Sequence, residues 1–495
     1  MRPRLTPVLR STVVVAALAL TLPTAAAQAT KEEAARLQAI GETYLGKPAA
    51  GEASTVTVVP EGDHYRASFD VAGLVRRLVA MVPNEEIKAF KIDWAPLSVA
   101  LAPQDGGLWR LWDYRMPKLV TDFAGQHTEM TTEGVDFETV FDPATGASRK
   151  MSGRFARVSA SSSIRKPGEA MAVTSENTST DITLDGSSTP TAVPGVLDFT
   201  ARQITASLLY AIGIEGGMAQ GVPDMRFALN GGRQETVVGI RGFRNDAILD
   251  LWAHLVAHHA PEDFTTGQGL LKTKIAAALP IFEEMRQKVE GRDFAFESAL
   301  AVANAEKMAI ELDLAGLTRE GRFGMAIGIS GFNAYSLFMP KWAGKLVPRD
   351  MALAGHVSGY DLATPISVFL DSADFSAKKP LTEEQEARIA ALFLPRGTVE
   401  VNLDGNRLVG QLYDMSLDGR LQAGPAGAKG AITVRATGLE KVSEHLATAG
   451  GDEQAKAVAA VLAMARQYAE RKGDALVWRF DFAGDKASVN GKPLK

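Results

Sequence analysis

The 495-residue chain contains no cysteine. That absence removes disulfide bonds, thiolate nucleophiles, cysteine-ligated zinc and iron–sulfur clusters together, so the fold is held by packing and hydrogen bonding. Aromatic residues are sparse at 7%, and none occurs between Phe155 and Phe199. Beyond Leu22 no apolar run approaches the ~20 residues a helix needs to cross a bilayer. The stretch from Ile275 to Phe282 is interrupted by Pro280 and followed by Glu283 and Glu284. An excess of basic charge is missing too: 53 Lys and Arg stand against 58 Asp and Glu, a formal net charge of −5. This argues against a nucleic-acid binder, which presents a basic face to phosphate. The remaining composition, 46% hydrophobic and 22% charged, is that of a globular chain long enough for a sizeable core.

The first thirty residues have an organisation of their own. Arg2, Arg4 and Arg10 precede or open an apolar run from Val13 to Leu22, followed by Pro23, Thr24 and the small residues Ala25-Ala26-Ala27-Gln28-Ala29. Basic, apolar and small-residue segments in that order predict a cleavable secretory signal peptide over residues 1–29, ending at Ala27 or Ala29. The ten-residue run is short for a membrane anchor, and no cysteine follows to carry a lipid. Arg2 and Arg4 are not adjacent, so the twin-arginine export pattern is not met. The expectation is a periplasmic protein with no membrane span after cleavage; loss of three arginines takes its net charge from −5 to −8.

Past that segment, Thr30 is placed to cap a short helix whose first turn holds Glu32 and Glu33. Short alternating segments then dominate. Met308, Ile310, Leu312 and Leu314 alternate with Ala309, Glu311 and Asp313, and Leu476, Trp478, Phe480 and Phe482 form a similar set. A period of two predicts half-buried antiparallel strands. Helices are predicted after the capping-box spelling Thr382-Glu383-Glu384-Gln385, and after Asp452, where Val458, Val461, Leu462, Ala465 and Tyr468 share a face. Helical patterns also cover Asn245 to His259 and Lys274 to Val289.

One spelling recurs at strand ends: an apolar residue, a variable residue, glycine and a large apolar residue. It occurs at Val71 to Leu74, Ile240 to Phe243, Ile329 to Phe332 and Ala436 to Leu439, with looser copies around Gly316 and Gly359. Hairpins are expected before the first four, among them Met225 to Leu229 with Thr236 to Ile240. The spacing is irregular, which excludes a strict solenoid and suits related β-β-α pieces in one sheet. Ser and Thr crowd the aromatic-free stretch, at Ser159 to Ser163, Thr174 to Thr180 and Ser187 to Thr191. It reads either as a linker or as solvated edge strands. The expected division is an N-terminal β-rich lobe, 30–194, and a C-terminal β-β-α lobe, 195–495.

Catalytic spellings are weak. His254 and His258 lie four apart on a predicted helix with Asp250 one turn earlier, which suits two metal ligands but equally a polar face near a helix C-terminus. The glutamate of the H-E-x-x-H protease motif is missing between them. G-x-S-x-G is absent; Gly328-Ile329-Ser330-Gly331 lacks its spacing. Ser376-Ala377-Lys378-Lys379 contains S-x-x-K without its companion motifs, and Gly424 to Gly430 lacks the phosphate-loop spacing. Trp109, Trp112 and Tyr114 follow the turn Asp105-Gly106-Gly107; simple alternation puts Trp109 with Leu111, and Trp112 and Tyr114 with Leu108. Exposed, such rings could stack on sugars or take up acyl chains; buried, they are core.

The N-terminal segment, the hairpins, the strand-end glycines and the closing Val489-Asn490-Gly491-Lys492-Pro493-Leu494 together resemble the YdgA-like periplasmic β-rich proteins and, more distantly, the AsmA-like envelope proteins. The resemblance implies an α+β fold, a long curved antiparallel sheet of repeated hairpins with helices packed on one face. It also implies an apolar groove and carries over no catalytic, cofactor or metal residue. The expected function is that of an exported, non-enzymatic envelope protein binding a lipid-like or other apolar ligand. Two alternatives stand beside it: a secreted metal-dependent hydrolase using His254 and His258, and a structural partner of other envelope proteins.

Overall fold

The computed structural model describes residues 28–48, 51, 53–81, 89–165, 171–216, 224–258, 265–377, 379–449 and 451–494. The expected signal peptide, apart from Gln28 and Ala29, lies outside them, as do His259 and Lys378. The described chain is mostly β-strand, paired antiparallel throughout, with eight α-helices. Its residues group into two units: one comprises residues up to 158 with 183–201 and 244–278, the other 159–182, 202–243 and 279–495.

In the first unit, Val56–Glu61 and His64–Phe69 form a hairpin; His64–Phe69 then pairs with Leu97–Gln104, that strand with Leu108–Arg115, and that in turn with Asp136–Asp142. Lys91–Trp94 pairs with Leu119–Phe123 and continues the same hairpin beyond two interruptions, Ala95-Pro96 and Met116-Pro117. Proline has no N–H to give to a ladder, which accounts for both breaks. Helix α1, Lys31–Leu45, starts as its spelling predicts, with Thr30 Oγ1 accepting from the Glu33 N–H at 3.2 Å. It lies over the strands where Ala34, Val56, Val58, Tyr65, Ala67 and Val99 form the core. Helices α2, Val71–Met81, α3, Asn245–Ala257, and α4, Gln268–Ala278, also belong to the unit.

The helix expected from Lys274 to Val289 is corrected. α4 ends at Ala278 ahead of Pro280, and Glu284–Ser298 is a strand. Glu284, Arg286, Lys288 and Glu290 alternate with Met285 and Val289, so period two prevails once proline has ended the helix.

The second unit is a meander in which each long strand lies beside the next in sequence. Glu284–Ser298, Ala301–Ala315, Gly321–Ser330 and Asp350–Tyr360 are consecutive neighbours. Val399–Asn402 and Asn406–Val409 follow, then Asp414–Gly424, Gly427–Thr437, Ala475–Gly484 and Lys486–Val489. The expected hairpin around Asn230-Gly231-Gly232 is not formed. Met225–Gly231 and Gln234–Phe243 run in the same direction along one edge of Glu284–Ser298, as two stretches of an interrupted strand. Gly232 donates to the Arg292 carbonyl at 2.9 Å across the break. The Ser/Thr-rich stretch resolves as strand: Ala147–Arg165 and Ala172–Pro190 pair with each other, and Ala172 to Thr180 pair again with Ser207–Glu215.

Helices α5, Ala363–Ser372, and α6, Glu383–Leu392, join Asp350–Tyr360 to Val399–Asn402, while α7, Leu439–Ala447, and α8, Glu453–Tyr468, join Gly427–Thr437 to Ala475–Gly484. α6 carries the full capping box: Thr382 Oγ1 accepts from Gln385 N–H, and Gln385 Oε1 from Thr382 N–H. α7 and α8 pack on their strands through Ala436, Leu439, Val442, Leu446, Ala455, Leu476, Trp478 and Val489. The recurring glycine divides by role. Gly242, Gly331, Gly359 and Gly438 close or end strands in the left-handed region, at φ between 61° and 86°. Gly73 instead sits in the first turn of α2, where Asp70 Oδ1 accepts its N–H at 2.7 Å.

Candidate functional site

Opposite residues on paired strands share a face. In the second unit Ile310 faces Ile327, which faces Leu353; Leu312 faces Met325; Leu314 faces Phe323, which faces Val357; and Met308 faces Ile329, which faces Met351. One face of three adjacent strands is therefore apolar over its length, broken at Gly355 opposite Met325. It is also open: Ile310, Phe323, Met325 and Leu353 are between 40% and 46% exposed. The alternation was readable at Met308 to Leu314, and Phe323-Gly324-Met325-Ala326-Ile327-Gly328-Ile329 repeats it with small residues between. The pattern carries the face but not its exposure.

The reverse face of these strands and Glu284–Ser298 is ionic. Arg322 bonds Asp313 at 2.8 Å; Glu284, itself buried, receives Arg241 at 2.8 Å, Arg286 at 2.7 Å and Arg322 at 2.9 Å. Lys288 reaches Glu290 and Glu311, and Lys307 reaches Glu290 at 3.1 Å. Hydrogen bonds from Lys288 and Lys307 hold the Glu290 carboxyl below its ordinary range, the opposite of what a general acid requires. Two open clefts lie on this face. One, of about 550 Å³, has Lys307, Asp350 and Arg407 around a mostly apolar lining that includes Ala309, Ala352 and Val409; the other, of about 680 Å³, is lined by Arg322, His356, Glu400, Asn402, Arg420 and Lys429. The His356 ring lies over Gly324, where a Cβ would stand 2.4 Å from Nδ1.

The histidine pair falls at the end of α3. The two rings lie 4.4 Å apart, His258 has left the helix, and its Nδ1 lies 3.1 Å from the His254 carbonyl oxygen. Asp250 is drawn off to Lys274 at 2.5 Å. Among the described residues no group of three His, Asp or Glu stands where it could hold a metal ion. Ser376 closes a turn on Asp374, bonded through Oγ at 2.6 Å and N–H at 2.9 Å. Gly424 and Gly427 bracket a tight hairpin turn.

The aromatic cluster departs from simple alternation. Asp113 takes φ +50° at a register shift opposite Ser98 and Ala100. This bulge turns Tyr114 to the side of Trp109 and Leu111, against the first unit's core, instead of the side of Trp112. Tyr114 packs edge-on to Phe137 at 5.0 Å, while Trp112 lies against His64 at 5.4 Å under the Arg110 guanidinium. Buried Arg66 secures the bulge, donating to Asp113 Oδ2 at 2.7 Å and to the Asp113 carbonyl at 3.1 Å. The Arg66 hydrogen bond is the main reason the Asp113 carboxyl is held below its ordinary range. A depressed carboxylate stabilises the fold above the unfolded-state value near 4 and loses that contribution as pH falls through its folded value. Arg66→Met is expected to cost about 1 kcal/mol at pH 7, and less in acid. Urea titrations at neutral pH and near pH 3 check this; an equal cost at both would assign the effect to packing alone.

Fold and site together define a β-rich antiparallel sheet protein whose second unit has central strands with one face apolar and partly open and the other carrying ion pairs. No family model, characterised protein or solved structure matches the chain.

Proposed function

We propose that the chain is an exported, non-enzymatic envelope protein that holds a lipid-like or other apolar ligand against a long curved sheet with helices packed on one face. The supporting observation is the open apolar surface formed by Ile310, Phe323, Met325 and Leu353 on adjacent strands. Contiguous exposed apolar area of this kind marks binding surfaces more often than it marks a finished exterior. Covering it returns roughly 25 cal/mol for each Å² withdrawn from water, and an acyl chain needs no directional partner to collect that energy. The absence of cysteine from the sequence and the pairing of the reverse-face carboxylates with cations favour holding over reacting. Export rests on the charge and hydropathy of residues 2–29, and the envelope role on the resemblance to YdgA-like proteins.

Native mass spectrometry of the protein purified from its own envelope tests this. Adducts that disappear on organic extraction and return when an acyl probe is added are the expected result. A spectrum of the bare polypeptide, with no uptake of probe, would remove the proposal.

A further inference from the structure

Among the described residues of the second unit, the most exposed large apolar side chain, Phe338, lies at a tip. Asn333–Ser336 ends in a turn closed by the Met339 N–H donating to the Ser336 carbonyl. Tyr335, Leu337 and Phe338 are 58%, 66% and 77% exposed. The neighbouring turn adds Leu300 and Val302: Val302 faces Tyr335 across the strands, and Leu337 N–H donates to the Leu300 carbonyl at 3.0 Å. The root is firm. Phe332 N–H donates to the Arg349 carbonyl, Tyr413 OH to the Leu346 carbonyl at 2.9 Å, and the His445 ring lies 2.8 Å from the Trp342 carbonyl, with Trp342 and Leu346 packed on the α7–α8 core. Folding does not use the tip's apolar surface, and the anchored root holds it outward.

Charge selects the occupant. Between Gly331 and Asp350 there is no acidic residue, while Lys341, Lys345 and Arg349 are all exposed, in a chain whose net charge is negative. The carboxylates beside it are few: Asp350 accepts from Gly331 N–H, the Glu306 side chain covers Gly331, Glu297 faces Val302, and Asp452 lies against Trp342 at the root. An aromatic and leucine tip backed by cations fits the boundary of an anionic bilayer, where rings sit at headgroup depth and each nearby Lys or Arg adds attraction. A protein partner fits less well, since a stable interface needs about 800 Å² per side and this tip offers a few side chains.

We infer that residues 335–338 form a membrane-docking tip that inserts Leu337 and Phe338 into an anionic lipid surface, with Lys341 and Lys345 binding headgroups. The inference uses residues other than those of the proposed ligand face, and either can hold without the other.

The cysteine-free chain makes the test direct, because Phe338→Cys gives a unique attachment point for a polarity-sensitive fluorophore. Vesicles of phosphatidylethanolamine with phosphatidylglycerol are expected to shift its emission to the blue and expose it to brominated-lipid quenching, whereas phosphatidylcholine vesicles are not. A label on Glu383→Cys stays in water. In flotation of unlabelled protein, Phe338→Asp is expected to weaken vesicle binding about tenfold or more, as is Lys341→Glu with Lys345→Glu, at unchanged melting temperature. The inference fails if the Phe338 label stays in water with anionic vesicles. It also fails if the tip variants bind as wild type, or if Phe338→Asp dissociates an oligomer of a chain that binds no vesicle.

Discussion

Gly438→Ala is expected to lower the stability of the second unit by about 3 kcal/mol or more. Two separate causes act at this position. Gly438 holds φ +75° as the residue before α7, a conformation that costs an L-residue about 1 kcal/mol or somewhat more. In addition, a Cβ there would lie 2.1 Å from the Leu412 carbonyl oxygen and 3.1 Å from its carbon. Those are backbone atoms, which cannot rotate aside as a side chain would. Relief requires moving either the chain before Asp414–Gly424 or the start of α7, and the latter carries Leu439, Val442 and Leu446 into the core. Gly473→Ala is the matched control: its φ is +66°, but nothing lies within 4 Å of the added Cβ, so it is expected to cost only about 1 kcal/mol. Urea titration followed by tryptophan emission measures both, with Trp478 in the affected core as reporter. Equal costs would show that the Leu412 contact relaxes freely.

The same glycine shows where the sequence was readable. The spelling around Gly438 predicted a strand ending into a helix, and this is what forms, because a left-handed residue turns the chain off the sheet and an amphipathic stretch follows. Gly73 has the same spelling inside α2, where Asp70 caps the first turn; four letters do not record which residue precedes them. The capping box at Thr382 was legible because both partners lie within one turn. Alternation gave the faces of the central strands for an equally local reason. Misreadings arose where a break in a strand looks like a turn. Gly231-Gly232 could reverse the chain or interrupt it, and only the distant strand Glu284–Ser298, pairing with both flanks, decides. The bulge at Asp113 likewise depends on Arg66, 47 residues earlier. Exposure was least legible of all. Leu476 and Trp478 lie under α7 and α8, whereas Ile310 and Leu353 show the same alternation and remain open. On α8 itself, Val461 belongs to the apolar face predicted from spacing but is 66% exposed.

Met325→Glu combined with Leu353→Glu is expected to weaken binding of an apolar fluorescent probe about a hundredfold while leaving the fold intact. Both side chains are more than 40% exposed, so carboxylates there stay hydrated in the free protein and strain nothing. With a ligand in place each substitution loses the contact of a large apolar side chain, about 1.5 kcal/mol, and a bound hydrocarbon would also have to withdraw the carboxylates from water. Because side chains alternate, the neighbouring positions report the opposite surface: Ala326 follows Met325, and Glu311 and Ala354 face it from the flanking strands. Glu311→Gln with His356→Gln therefore alters the ionic side alone and is expected to leave the probe's affinity within about twofold of wild type, less than 0.5 kcal/mol. Titrating the probe into all three proteins compares the two faces of one set of strands. If both double variants lose affinity alike, the effect is general destabilisation. If neither does, the probe binds elsewhere and the open apolar face is not its site. Loss confined to Met325 and Leu353 would tie binding to one face of the sheet, through the period-two alternation already written in residues 308–314 and 323–329.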